Sequence, residues 1–200
     1  MKIALELIGY NPCYHMNEVR QNPSHINFWN DANSDILMDW RYFFNPYKAA
    51  VDWPVSAFAK QLHTIFKDSK VILTVRNPES WYESAKNTIF LGMANYEKIE
   101  DQITRNRLKM AKSIIIDKIF SGKYDNKSHC IAVYQEHLTE IKKTIAPSDL
   151  LEFSVSDGWK PLCNFLNIDV PTVPFPYTNM RKDFFKNRPK YKFSHNRLSS

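Results

Sequence analysis

The sequence predicts an α/β fold in which a parallel sheet is flanked by helices, and three observations carry that prediction. Three segments repeat one grammar: a short apolar run, a polar residue at its end, then a proline or turn residue that opens a helix. One of those runs, Val71-Ile72-Leu73-Thr74-Val75, is apolar almost throughout, as expected of a strand covered on both faces. The chain of 200 residues, 44% hydrophobic and 24% charged, is also long and apolar enough for one well-buried domain.

Taken in order, the first nine residues read as a helix with Ile3, Ala4, Leu7 and Ile8 on one face and Gly9 as its stop. No capping residue precedes it, so its first N–H groups lack a partner in the sequence, and a first strand is expected to be absent ahead of it. Residues Asn11 to Pro46 are rich in Asn and aromatic residues and read as one or two short helices within loops. The first repeat of the grammar is Ala49-Ala50-Val51, then Asp52, with Pro54 opening a helix whose apolar face is Val55, Phe58, Ala59, Leu62 and Phe66. In the second, Arg76 follows the Val71 run, Asn77 is placed to cap and Pro78 takes the first helical position. The third is Leu150 to Val155, then Ser156-Asp157-Gly158 and a short helix from Trp159 to Leu166. Two long helical patterns, Tyr96 to Phe120 and Ser128 to Ile145, lie between them with Gly122 at the break. Pro171, Pro174 and Pro176 then impose extended chain.

The net charge of +6 is concentrated at one end. From Met180 to Ser200 there are seven basic residues against the single acid Asp183, which equals the charge of the whole chain. Residues 1–179 therefore form a neutral domain and 180–200 a basic tail, read as a solvated terminus rather than a nucleic-acid contact. Cys13, Cys130 and Cys163 are far apart, with no CxxC pair, so neither a structural zinc site nor a disulfide framework is indicated, and a reducing, cytoplasmic location is expected. MKIALELIGY is too short an apolar run for a signal peptide, and no stretch approaches the ~20 apolar residues of a membrane span, so no membrane partner is expected.

Only four glycines are present, and no two stand close enough for a dinucleotide-binding GxGxxG turn or a Walker-type phosphate loop. The histidines show no HExxH spacing, His129 and His137 read as two positions on one solvated helix, and no metal is expected. No GxSxG elbow supports a hydrolase triad.

In open α/β sheets ligands bind beyond the carboxyl ends of the strands, a rule that selects Asp52, Arg76 and Asp157. Arg76 beside a helix N-terminus combines a guanidinium, backbone N–H donors and the helix dipole on one anion, and Ser84, about two turns into the helix, adds a hydroxyl. The competing reading is that Arg76 pairs with a nearby carboxylate and Ser84 is an ordinary helix residue. Asp52, next to apolar Trp53, is placed either to take a proton from a substrate hydroxyl or merely to cap the helix that Pro54 opens.

Four ordered blocks resemble the family of P-loop sulfotransferases that includes bacterial and schistosome members. They are Ala4-Leu5-Glu6 through Gly9 with Pro12-Cys13-Tyr14-His15-Met16 and Glu18-Val19; Asp52-Trp53-Pro54; Lys70 through Tyr82; and Asp157 through Cys163 with Phe165-Leu166. The resemblance runs from Ala4 to about Asn179 and implies a P-loop nucleotide-hydrolase-like sulfotransferase fold. It further implies a donor, 3′-phosphoadenosine 5′-phosphosulfate, whose sulfuryl group passes to a small-molecule hydroxyl or amine. By motif, Arg76 and Ser84 would hold the donor's 3′-phosphate, Asp52 would be the catalytic base, and His15 and Trp53 would line the acceptor pocket, with a buried, hydrogen-bonded role for His15 left open. Family members begin with a strand and a Gly/Arg/Thr-rich loop, and this chain starts inside the helix that follows them. The expectation is thus a domain whose first strand and phosphate loop are absent. Either the protein is longer and active, or the chain is a non-catalytic sulfotransferase relative or nucleotide-binding module, whose exposed sheet edge would favour homo-oligomers. The loop would supply donors at the transferring group, and losing even one such donor costs about 2.7–4 kcal/mol in comparable oxyanion sites, so losing the whole loop is expected to nearly abolish turnover.

Overall fold

The computed structural model describes residues 1–177; the tail at 180–200 lies outside the described residues, as do 178 and 179. The fold is α/β, with short parallel strands flanked by helices.

Helix α1 (Lys2–Leu7) ends at Gly9, whose φ of +98° suits a residue without a side chain. Its buried residues are Ala4 and Leu5, whereas Ile3 and Leu7 are 43% and 53% exposed. The face turned inward is therefore Met1, Ala4, Leu5 and Ile8, which keeps Ala4 and Ile8 of the expected stripe and leaves Ile3 and Leu7 outside. A two-residue strand, β1 (Cys13–Tyr14), follows. Three short helices occupy the segment read as one or two short helices within loops: α2 (Met16–Gln21), α3 (His25–Asn33) and α4 (Trp40–Phe44). Their buried residues are spaced to face one core: Ile26, Trp29 and Ala32 on α3, and Trp40 and Phe44 on α4.

Strand β2 (Ala49–Ala50) pairs in parallel with β1, Cys13 opposite Ala49. After Asp52 the chain makes a 3₁₀ turn over Val55–Phe58 and then α5 (Ala59–Ile65). Strand β3 (Val71–Thr74) leads into α6 (Pro78–Ala85), where Asn77 Oδ1 accepts from the Ser80 N–H at 3.1 Å, the cap expected from the sequence. A π-helical turn (Lys86–Phe90) continues into α7 (Leu91–Ala94).

The long pattern from Tyr96 to Phe120 is not one helix. Asp101 caps α8 (Gln102–Lys112) by accepting from the Thr104 N–H at 2.7 Å, and the chain then widens into a π-helix over Ser113–Ile119. The wider i→i+5 turn gathers the consecutive Ile114, Ile115 and Ile116 into a narrower arc, and all three are buried. Helix α9 (Lys127–Thr144), β4 (Leu150–Phe153) and α10 (Trp159–Leu166) complete the order.

Strand β4 pairs in parallel with β3, Val71 opposite Leu150 and Thr74 opposite Phe153. The described strands thus form two parallel pairs, β1–β2 and β3–β4, rather than one continuous sheet. Alternation explains the apolar run. Ile72, Leu151 and Phe153 pack with Ala4 of α1 and Leu162 and Cys163 of α10. Val71, Leu73, Val75 and Leu150 pack with Ile141 and Ile145 at the end of α9. Both faces of the pair need apolar side chains because helices lie on both. A second core surrounds Tyr14, whose ring meets those of His25, Trp29, Phe43, Phe44 and Tyr47 at centroid distances of 5.0–5.9 Å. The Trp29 indole N–H donates to the Tyr14 hydroxyl at 2.7 Å, satisfying both buried polar groups. All three cysteines are free and buried, and no described helix is long and apolar enough to cross a membrane.

Candidate functional site

The predicted residues gather into two clusters, each just past a strand. In the first, β1 runs into His15, which caps α2: its Nδ1 accepts from the Asn17 N–H at 3.1 Å. Its other nitrogen, Nε2, stands 3.1 Å from Asp52 Oδ2, and the two side chains are 19% and 36% exposed. Asp52 does not cap the turn that follows: the Ser56 N–H is met by the Asp52 backbone carbonyl at 3.1 Å, which leaves the carboxylate for His15. Its φ is +70°, a left-handed conformation that few side-chain-bearing residues adopt. Trp53, half-buried, packs against the core that contains Tyr14 and Trp29.

Strain of this kind costs of order 1–2 kcal/mol and persists where surrounding contacts enforce it. Asp52→Gly is accordingly expected to melt no lower than the wild type in a thermal scan, against the 0.5–3 kcal/mol loss usual for point substitutions. A Tm several degrees lower would show that the His15 contact outweighs the strain.

Below this pair, Lys2 fastens α1 to β1. Its Nζ donates to the Cys13 carbonyl at 2.5 Å and to Glu6 Oε1 at 2.7 Å, and lies 3.4 Å from Glu18 Oε1. Burial pushes the Glu6 carboxyl up, yet the hydrogen bonds from Lys2 and from the Cys13 N–H hold it below the usual carboxylate range. Burial raises the Cys13 thiol to about 11, so that sulfur is no nucleophile. It also raises the Tyr14 phenol, which stays neutral in its aromatic nest.

The second cluster sits at the end of β3. Arg76 is exposed, and among the described residues no carboxylate pairs with it; its Nε donates to Ser80 Oγ at 3.3 Å. The competing ion-pair reading of Arg76 is therefore not what the structure has. Ser80 and Ser84 lie one turn apart on α6, hence on one face, and Ser84 is half-buried. Asp157, the third strand-end residue, serves its own turn: its Oδ2 accepts from the Ser154 N–H at 3.0 Å within a capping box. No described hydrogen bond or ion pair joins the Arg76 cluster to the Asp52 cluster. Among the described residues no group of three or more His, Cys, Asp or Glu side chains is arranged to hold a metal.

Two residues of this second cluster escaped the sequence reading. Ser80 belongs to the motif but was not singled out. Tyr134, from α9, brackets the Arg76 peptide: its hydroxyl accepts from the Arg76 N–H at 3.2 Å and donates to the Arg76 carbonyl at 3.3 Å. Its ring stacks on Trp81, with centroids 4.5 Å apart and planes 10° from parallel. Tyr134→Phe keeps the stack and removes both hydrogen bonds. It is expected to weaken any anion held by Arg76 by roughly three- to tenfold, a loss in the range of one or two ordinary hydrogen bonds, with the fold intact by circular dichroism.

The chain is similar to "Ava biosynthesis cluster protein M" of Aspergillus versicolor, 23% identical over 192 residues, a match covering 88% of this chain and 74% of that one. A family model described as a sulfotransferase domain matches residues 1–184. Matched over nearly its whole length, the chain belongs to the sulfotransferase domain family.

Proposed function

We propose that this chain binds 3′-phosphoadenosine 5′-phosphosulfate and transfers its sulfuryl group to a hydroxyl or amine of a small molecule. One observation carries the proposal: an arginine with no acidic partner among the described residues stands at the mouth of a capped helix that turns two serines along one face. A guanidinium left free of carboxylates, beside helix N–H groups, suits a phosphate dianion, so the residues present fit the donor's 3′-phosphate. Arg76 and Ser84 would hold that phosphate, with Ser80 orienting the guanidinium and Tyr134 its backbone.

The donor carries its phosphate on the ribose 3′ carbon and its sulfuryl group on the 5′ side. Two separate clusters, one for binding and one for proton transfer, are what such a molecule requires. When bound, the donor supplies an electrophilic sulfur and a good leaving group. Asp52 takes the proton of the attacking hydroxyl as the new oxygen–sulfur bond forms and the old one breaks, releasing adenosine 3′,5′-bisphosphate. His15 and Trp53 line the acceptor side. In this reading residues 1–179 are the catalytic domain, the basic tail at 180–200 lies outside it, and the protein works in the cytoplasm on a small-molecule acceptor.

Incubating the protein, together with whatever residues are encoded upstream of Met1, with the donor and a panel of phenols, alcohols and amines tests the proposal. Acceptor-dependent release of adenosine 3′,5′-bisphosphate is expected. Tight binding of the donor with no release for any acceptor would instead make the chain a nucleotide-binding module.

A further inference from the structure

We infer that His15 is a positioning residue for Asp52, locked as the Nε2–H tautomer, and that it aims the carboxylate without itself taking up the substrate's proton. The inference rests on the reading of Asp52 as the base. The Asn17 N–H points at His15 Nδ1 at 3.1 Å, and a nitrogen that accepts must keep its lone pair. The proton of a neutral imidazole is then on Nε2, the nitrogen that lies 3.1 Å from Asp52 Oδ2.

Two consequences follow from that single orientation. Placing a second proton on Nδ1 would set two N–H groups against each other and uncap α2. Asp52 Oδ2 is occupied by the imidazole, which leaves Oδ1 as the oxygen for a substrate hydroxyl. The imidazole also anchors a side chain whose backbone, at φ +70°, is in a conformation that aspartate seldom adopts. The charged and titratable groups around the pair come from every element packed there. Glu6 and Lys2 belong to α1 and Glu18 to α2, and Cys13 lies on β1. None of these stands between the imidazole and the carboxylate.

A long-range proton–nitrogen correlation spectrum of the full chain with ¹⁵N-labelled histidine reads the tautomer directly. His15→Asn identifies the His15 signals by their loss and keeps the cap, since the Asn carbonyl accepts from the same N–H. The wild type is expected to show the Nε2–H pattern at neutral pH. In Asp52→Gly that proton should exchange with water about tenfold faster, because its acceptor is gone. An Nδ1–H pattern, a doubly protonated ring at neutral pH, or an exchange rate unchanged in Asp52→Gly would each overturn the inference. The spectrum needs no substrate, so a failure of Asp52 as the base would show in the turnover of Asp52→Asn and not in these signals.

Discussion

Asp52→Asn should lower kcat for sulfuryl transfer by roughly 10²–10⁴-fold, the usual contribution of a positioned general base, while leaving the affinity for adenosine 3′,5′-bisphosphate nearly unchanged. The substitution is chosen for what it preserves. Asparagine tolerates the left-handed backbone at this position, and its carbonyl keeps a polar oxygen beside His15 Nε2. What it loses is the ability to take a proton. Because Arg76 and Ser84 stand in the other cluster, donor binding has no reason to follow. The check is the rate of adenosine 3′,5′-bisphosphate release with an active acceptor, set beside a binding titration of the same preparation. Turnover within a few-fold of wild type would remove Asp52 from the chemistry.

Arg76→Ala should weaken adenosine 3′,5′-bisphosphate roughly ten- to hundredfold, the range set by losing charge-assisted hydrogen bonds to a phosphate. The side chain is exposed and its one described bond is to Ser80, so its removal leaves no buried acid unpaired and should cost little stability. Arg76→Lys is expected to fall between the two, since an ammonium keeps the charge and loses the planar fork. Ser84→Ala should weaken binding by a smaller factor, because a neutral hydroxyl contributes one ordinary hydrogen bond. Equal affinities across this series would place the phosphate elsewhere.

The Arg76 turn was legible because everything that builds it is local. An apolar run covered on both faces, a capping Asn77 and Pro78 at the first helical position are consecutive in the chain, and each appears where expected. The same holds for β4 and α10 around Gly158. Tyr134 was not legible. It lies 58 residues from Arg76, and on an amphipathic helix its ring reads as core until the hydroxyl is seen against a distant peptide. The His15–Asp52 pairing likewise depends on β1 lying beside β2, and a two-residue strand leaves no alternation to detect. Helix α1 shows a related limit. Six residues make fewer than two turns, too few for periodicity to choose Ala4 and Leu5 over Ile3 and Leu7. The pattern read as one helix from Tyr96 to Phe120 runs across Asp101, whose carboxylate starts a new one.

The family assignment covers the fold and the general chemistry, and the role of Arg76 is where it becomes specific to this chain. Calorimetric titration of wild type and Arg76→Ala, each with adenosine 3′,5′-bisphosphate and with adenosine 5′-monophosphate, isolates the 3′-phosphate from the rest of the nucleotide. The wild type should prefer the bisphosphate by at least roughly tenfold, and the preference should vanish in Arg76→Ala. A preference of equal size in both proteins, or no bisphosphate binding by the wild type, would contradict the assignment of Arg76 to the donor's 3′-phosphate.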